Sequence, residues 1–246
     1  MHPRGSNQDG CDVDTYEIQA EQIADGSSAL DRLAPRCMFT NPILSVVYDG
    51  RFIHLKVSPT SAQRGSYVVP GQYVVARFSD GKPRFIALHG PPNEAVWEFL
   101  FEPKAEWELA QFAPGFSITT SMAEGHGYPM SFSGYSDVAI FVGGSGIAGI
   151  LPWLSSQPSV ENINVFFALG EEAPSTVLRT ELAAREVGAD LSLLDPSQMK
   201  SAAERFPPHP EGYGVLLCGS PRMMRDVAHV LLSRGFHRDQ IFTNLS

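Results

Sequence analysis

Short apolar runs, separated by glycine and proline, fill the first half of the chain. Ile43 to Tyr48 and Phe52 to Val57 flank Asp49-Gly50, a pair that favours a tight hairpin because glycine tolerates a positive φ. Similar runs follow at 67–69, 72–78, 84–89, 96–102 and 116–121. Short strands at regular spacing, with turns between them, predict an antiparallel β-barrel or sandwich. We place this domain at residues 38–133.

After Gly134 the pattern changes to apolar strands that alternate with helices. Strands are predicted at 138–142, 163–169, 190–194, 214–218 and 240–243, with helices between them at 147–155, 175–186, 198–205 and 222–233. This alternation predicts a doubly wound parallel sheet, an α/β domain over residues 134–246. The expected fold is therefore a two-domain chain, an antiparallel β-barrel followed by an α/β domain.

Residues 1–37 mix acidic side chains with Ser, Gly and Gln and contain few large apolar residues, so we expect a flexible N-terminal arm. It has neither the apolar segment of a secretory signal nor the Arg-rich, acid-poor composition of a transit peptide. The longest apolar run, 138–154, is shorter than the roughly 20 residues of a membrane span and contains several glycines. A buried strand followed by a buried helix explains it better.

Composition narrows the possible partners. The chain has 246 residues, 43% of them hydrophobic and 18% charged, and a net charge of -9, which argues against binding to nucleic acid or to an anionic membrane. Three cysteines, Cys11, Cys37 and Cys218, lie far apart and form no C-x-x-C pair. We therefore expect no metal site and a reducing, intracellular location, cytoplasmic or plastid.

A glycine-rich loop follows the first strand of the second domain. Gly144, Gly146 and Gly149 fit the pattern G-x-G-x-x-G directly after an apolar strand and before a helix. Backbone N–H groups at the start of that helix would face a pyrophosphate, as in dinucleotide sites. The alternative is a tight turn between strand and helix with no ligand.

Ligands of parallel sheets bind beyond the carboxyl ends of the strands, which draws attention to the second strand of this domain. Glu171 follows that strand at the distance where dinucleotide sites place an acid on the adenosine ribose. Together with Glu172 it would repel a 2′-phosphate, so NADH is expected to be favoured over NADPH. Arg179 or Arg185 would reverse this preference by turning toward the site, and a solvated acidic loop remains an alternative.

Two motifs carry a resemblance to a known family. The β domain is followed by Gly144-Ser145-Gly146-Ile147-Ala148 and, near the C-terminus, by Cys218-Gly219-Ser220-Pro221-Arg222-Met223-Met224. In this order and spacing the chain resembles the ferredoxin-NADP⁺ reductase-like superfamily, which has G-T-G-I-A-P and C-G-P-x-x-M at these places. It is most similar to the electron-transfer subunits of dihydroorotate dehydrogenase and to plant-type plastid FAD/NAD(P)-binding oxidoreductases.

The resemblance implies that Gly144, Ser145, Gly146 and Ile147 hold the nicotinamide nucleotide. It also implies that Cys218, the one candidate catalytic residue, lies near the nicotinamide ring with Gly219, Ser220 and Met223. A small packing residue is the alternative for a cysteine at the end of a buried strand.

The flavin motif of this family departs from its usual form here. Where the family has R-x-Y-[ST], this chain has Arg84-Phe85-Ile86-Ala87. By resemblance Arg84 meets the FAD pyrophosphate, whereas Ile86 replaces the stacking aromatic and Ala87 replaces the hydroxyl. Phe85 is not expected to substitute, because neighbouring residues of a strand face opposite sides; Tyr73 or His89 would contact the ring instead.

A second predicted flavin element is the loop of Gly125, Gly127 and Tyr128, which resembles the G-x-G-F-P loop of the dihydroorotate dehydrogenase subunits. A glycine turn that links the two domains is the alternative.

These features predict an NAD(P)H-dependent flavoprotein reductase that passes electrons through FAD to an acceptor, for which a redox protein is one candidate. The main alternative is a degenerate reductase-like module that binds a nucleotide or regulates a partner without flavin. A simple NAD-dependent dehydrogenase would need an acid or base that the motifs do not supply.

Overall fold

The computed structural model describes residues 37–78, 81–103, 109–132, 134–156, 158–170, 173–206 and 210–244. The predicted N-terminal arm, 1–37, lies outside this range except for Cys37. Among the described residues, no helix is both long enough and apolar enough to cross a membrane.

The first domain is a six-stranded antiparallel sheet with the order β4-β3-β6-β1-β2-β5. A bridge between Leu88 and Phe99 joins its two edges, so the sheet closes into the predicted barrel. One short helix, α1, lies between β2 and β3. The elements are β1 (Phe39–Asp49), β2 (Phe52–Val57), α1 (Ser61–Arg64), β3 (Tyr73–Arg77), β4 (Pro83–Ala87), β5 (Trp97–Phe101) and β6 (Ser117–Thr120).

The second domain is a five-stranded parallel sheet with the order β11-β10-β7-β8-β9. Helices α2 and α3 pack on one face, and α4 and α5 pack on the other. The elements are β7 (Asp137–Gly143), α2 (Ile147–Ser155), β8 (Asn162–Ala168), α3 (Pro174–Glu186), β9 (Asp190–Leu194), α4 (Met199–Arg205), β10 (Tyr213–Cys218), α5 (Pro221–Ser233) and β11 (Ile241–Thr243). The predicted fold class is confirmed.

One predicted strand, 67–69, is wrong. The N–H groups of Val68 and Val69 donate to the Gln72 side-chain oxygen, at 2.8 and 3.2 Å, and not to a neighbouring strand. The Tyr67 hydroxyl donates to the Gly90 carbonyl at 2.6 Å. The Gln72 side chain therefore satisfies the two N–H groups that a strand would pair with a neighbouring strand.

The core runs across the boundary between the domains. Phe52 and Leu100 of the barrel belong to the same apolar cluster as α2 and the central strands of the parallel sheet. Trp153 of α2 donates its indole N–H to the Pro129 carbonyl at 2.8 Å. The barrel and the second domain therefore pack directly against each other at α2.

Candidate functional site

The order in which the chain adds strands to the parallel sheet reverses between β7 and β10, which is the topological switch point of the sheet. These strands are neighbours, with Val142 opposite Cys218, yet the chain leaves β7 for β8 on the other side. The glycine loop, residues 143–146, and the segment 218–220 therefore emerge side by side. In an open α/β sheet this edge is where ligands bind.

The two segments touch through their backbones. A Cβ at Gly146 would lie 2.7 Å from the carbonyl carbon and oxygen of Cys218, so only glycine fits there. Gly219 has a φ of +152°, and a Cβ there would lie 3.2 Å from the backbone nitrogen and oxygen of Gly143. Gly144 differs, because at its φ of +54° nothing lies within 4 Å of a Cβ position. The glycine loop therefore contacts the Cys218 backbone on one side, and at Gly144 it leaves space for a ligand.

The loop leads directly into α2. Gly144–Gly146 form a 3₁₀ turn, and Ile147 begins the helix with a side chain that is fully buried in the core. Ser145 stays half-buried beside the open face. Gly144, Ser145 and Gly146 thus present backbone at a helix N-terminus, whereas the Ile147 side chain anchors the turn and faces away from any ligand.

Across the switch point, Ser220 and Met223 start α5. The Ser220 hydroxyl accepts the Met223 backbone N–H at 3.2 Å, as a helix N-cap. The Met223 sulfur lies 2.6 Å from a Cβ position at Gly143 and closes the loop from this side. The predicted residues of the nicotinamide half are therefore brought together.

Cys218 is buried at this point of contact. Burial raises the pKa of its thiol to about 11, although a hydrogen bond with Tyr128 acts in the opposite direction. The thiol therefore stays protonated at neutral pH and is a poor nucleophile. The predicted position of Cys218 beside the nicotinamide ring, together with Gly219, stays a prediction.

The predicted flavin strand, β4, faces the other way from our expectation. Ile86 is only 5% exposed and packs in the barrel core with Val74, its partner on β3. Phe85 is half-buried, with its ring centroid 5.2 Å from that of Tyr73 and edge-on to it. Because side chains alternate along a strand, Phe85 and Ala87 share the outward face. The aromatic available on this face is Phe85, and the prediction that Ile86 would contact a flavin does not fit its burial.

Ala87 shares the outward face of β4 with Phe85, whereas Arg84 alternates to the face of Ile86. A Cβ at Gly149 of α2 would lie 3.5 Å from the Ala87 methyl group, so strand and helix are in direct contact where the family carries proline. Arg84 is half-buried, and its Nη1 donates to the Pro83 carbonyl at 3.1 Å. No ring fits between Ala87 and Gly149.

The predicted flavin loop packs against protein. A Cβ at Gly125 would lie 2.7 Å from the Tyr73 ring, and one at Gly127 would lie 2.5 Å from the Pro70 carbonyl oxygen. Tyr128 is 2% exposed, and its hydroxyl donates to the Leu217 carbonyl at 3.3 Å. Its ring is therefore not a free stacking face, and it fastens the barrel to β10.

A polar cluster at the domain boundary was missed from the sequence. It joins Asp49 and His54 of the first hairpin, His89 beyond β4, and Thr176 and Arg179 of α3. His89 is 8% exposed, with its ring centroid 5.5 Å from that of His54 and its Nε2 3.5 Å from Arg179 Nη1. His89 thus faces this cluster and not the outward face of β4, where Phe85 lies.

Asp49 is the charged member of the cluster that is most deeply buried. Burial alone raises the pKa of its carboxyl, but hydrogen bonds from Thr176 and Ser175 outweigh that effect and hold the pKa below its usual value. Burial and the nearby Arg179 lower the pKa of His54, although Asp49 and Glu98 act in the opposite direction. The signal for this cluster is absent from local sequence, because its members come from three separate segments.

A cavity of about 520 Å³ opens at the carboxyl ends of β8 and β9. Its walls are mostly apolar and are formed by Leu169, Gly170, Ala173, Pro174, Val177, Leu193, Leu194 and Asp195. Glu171, the predicted ribose ligand, lies outside the described residues, but Gly170 directly before it lines this cavity. The volume and apolar lining suit a purine ring.

The cation beside this cavity comes from the other domain. Arg51 Nη1 lies 3.0 Å from a Cβ position at Gly170, and an ion pair with Glu102 holds the guanidinium. Arg179 points to His89, and Arg185 lies about 16 Å along α3 from its first residue. The two arginines that the sequence suggested are therefore not the ones at the rim.

Comparisons with known proteins agree with this architecture. No protein-family model and no curated protein sequence matches the chain. Among solved structures, a ferredoxin NADP⁺ reductase from Neisseria gonorrhoeae with bound FAD and NADP is 19% identical, with a TM-score of 0.68 over 84% of this chain and 97% of that one.

Two further structures support the same fold. The FAD/NAD-binding domain of nitric oxide dioxygenase from Vibrio cholerae is 15% identical, with a TM-score of 0.62 over 83% of this chain and 96% of that one. A siderophore-interacting protein from Acinetobacter baumannii is 13% identical, with a TM-score of 0.67 over 85% and 90%. The chain therefore shares the two-domain fold of these solved structures, which is the fold that its motifs predicted.

Proposed function

We propose that this protein is a flavin-dependent oxidoreductase that takes a hydride from a reduced nicotinamide nucleotide and passes electrons through FAD to an acceptor. The observation that carries the proposal is the contact between the glycine loop and the Cys218-Gly219 segment at the switch point. Gly144 stays open there, at a helix N-terminus, where a pyrophosphate is stabilised by backbone N–H groups.

The nicotinamide nucleotide would extend along the carboxyl edge of the sheet. Gly144, Ser145 and Gly146 would bind its pyrophosphate, Cys218 and Gly219 would bound its reactive ring, and the cavity beside Gly170 would receive its adenosine half. The acidic pair that follows Gly170 in the sequence is the ground for expecting NADH rather than NADPH. A side-by-side measurement of the two dissociation constants tests this preference.

For the flavin, the outward face of β4 would supply the aromatic contact through Phe85. Arg84 starts from the opposite face of the strand, with Ile86, so as the predicted ligand of the FAD pyrophosphate its long side chain would have to reach around β4. FAD supplies the chemistry of accepting a hydride and releasing its electrons to a second partner. The protein's part is to hold the two rings in line and exclude water, for which no catalytic base is needed. A redox protein is the candidate acceptor, and an intracellular location stays a prediction from the sequence.

Flavin retention tests this proposal. The purified protein is incubated with FAD, freed of excess by gel filtration, and scored by visible absorbance and by bleaching with NADH. Phe85→Ala should weaken FAD affinity by roughly tenfold because it removes an aromatic contact. Phe116→Ala, which removes an exposed aromatic from the same domain, is the matched control and should have no effect.

A second candidate function is a nucleotide-binding or regulatory module that has kept the fold without flavin chemistry. The burial of Ile86 and Tyr128, and the contact between Ala87 and Gly149, favour it. A protein that binds NADH but stays colourless after incubation with FAD would support this second function and would contradict the first.

A further inference from the structure

The turn between β1 and β2 reaches across the boundary into the second domain. Asp49 closes β1 and is 4% exposed. Its Oδ2 accepts the Thr176 backbone N–H at 2.7 Å and the Thr176 hydroxyl at 2.6 Å. Its Oδ1 accepts the Ser175 N–H at 3.0 Å. One carboxylate thus receives three hydrogen bonds from the first turn of α3.

Helix α3 has no cap of its own. Ala173 occupies its N-cap position and has no side chain that accepts a hydrogen bond, and Pro174 has no N–H. The N–H groups of Ser175 and Thr176 would otherwise lack acceptors. Asp49 therefore serves as the N-cap from the other domain, and its negative charge also suits the positive end of the helix.

The β1–β2 turn also contacts a second part of the cavity lining. The first turn of α3 contributes Ala173, Pro174 and Val177 to this lining, and Gly170 contributes to it at the end of β8. Arg51, two residues after Asp49, lies against Gly170 and is held by Glu102. Two parts of the cavity lining, the start of α3 and Gly170, are therefore in contact with one turn of the barrel.

We propose that Asp49 is a positioning residue for the adenosine half of the nicotinamide nucleotide, because it caps α3 from the other domain and so fixes the cavity wall that receives this half. The inference rests on the function proposed above. The adenosine cavity would then have its full shape only while the two domains are docked. Affinity for the adenosine half is then coupled to domain docking, whereas the glycine loop, built within the second domain, is not.

The test separates the two halves of the nucleotide. Binding of ADP-ribose, which carries the adenosine half, and of reduced nicotinamide mononucleotide, which lacks it, is measured by calorimetry on the full chain. Asp49→Ala should weaken ADP-ribose binding about fivefold, the factor that corresponds to the loss of one helix cap. It should leave the mononucleotide unchanged. Asp49→Asn, which keeps one acceptor oxygen, should fall between wild type and Asp49→Ala and also serves if Asp49→Ala does not fold.

Asp226→Ala is the matched control, since it removes an exposed carboxylate that pairs only with Arg222 at 3.8 Å among the described residues. If the Asp49 variants lose affinity for ADP-ribose and for the mononucleotide equally, the effect is a general one on folding and the inference is overturned. Unchanged affinity for ADP-ribose would overturn it as well. A wild-type protein that binds neither ligand would instead overturn the proposed function, and this inference with it.

Discussion

Acid should destabilise this protein through His89. Burial, the neighbouring His54 and Arg179 lower the pKa of His89 to about 4, whereas Glu98 and a hydrogen bond with the Ala148 backbone act in the opposite direction. Its Nε2 lies 3.5 Å from Arg179 Nη1. A proton on this buried ring would place a second cation beside the Arg179 guanidinium, so the folded state holds His89 neutral.

The sign and size of the effect follow from linkage. Because the pKa is about 4 in the folded state and 6.5 in the unfolded chain, the unfolded chain binds more protons between these values. The contribution of neutral His89 is complete above pH 6.5 and is lost as the pH falls toward 4. From pH 7 to pH 4.5 this single group should lower the free energy of unfolding by about 2.5 kcal/mol.

The assay is urea unfolding at both pH values, followed by the fluorescence of Trp97 in the barrel and Trp153 in the second domain. His89→Gln removes the titrating group. The decrease in its free energy of unfolding from pH 7 to pH 4.5 should therefore be about 2.5 kcal/mol smaller than the decrease for wild type. His229→Gln, at an exposed position of α5, is the control and should behave as wild type. If His89→Gln shows the same loss as wild type, the reasoning about a buried neutral histidine is wrong.

Three further predictions concern the candidate site. Gly146→Ala should lower nicotinamide nucleotide affinity at least tenfold, since its Cβ would lie 2.7 Å from the Cys218 carbonyl group; calorimetry measures this. Cys218 should resist iodoacetamide at pH 8 in the folded protein and react only after unfolding, because burial raises its pKa to about 11; mass spectrometry reports the adduct. Arg51→Gln should weaken NADPH binding about tenfold and NADH binding less than twofold, because Arg51 is the cation beside Gly170; equal losses for both nucleotides would contradict this role.

Local pattern was sufficient for the glycine loop and for the elements other than the predicted strand 67–69 and the short helix α1. Period-two runs and the Asp49-Gly50 turn predicted the first hairpin, where Gly50 has a φ of +59°. The alternation after Gly134 predicted the parallel sheet, and Gly146 lies where its spacing indicated. These features depend on backbone preferences and on burial within a few residues, both of which can be read from sequence.

The direction of β4 was not readable in the same way. Alternation determines that Phe85 and Ile86 face opposite sides, but only the closure of the barrel determines which side is the core. A motif alignment assigned Ile86 to the outward face, and the structure places it inside with Val74. Replacing Ile86 by Tyr to restore the family motif would therefore overpack the barrel core.

The contacts between the domains were the features least predictable from the sequence. Asp49 and Thr176 are 127 residues apart in the chain, and no periodicity connects a hairpin turn to a helix in another domain. Arg51 and Gly170 are likewise brought together only by domain docking. A missing cap on α3, where Ala173 precedes Pro174, was the one local sign that an acceptor comes from elsewhere.

Anaerobic mixing of the FAD-reconstituted protein with NADH, followed by the visible flavin absorbance, is the most direct test of hydride transfer to a bound flavin. We expect the flavin band to bleach on mixing. Gly146→Ala, whose Cβ would displace the nucleotide loop from Cys218 but leave Phe85 intact, should keep its flavin and lose the bleaching. Bleaching that is unchanged in Gly146→Ala, or a wild-type protein that holds flavin and stays oxidised with NADH, would contradict the proposed function.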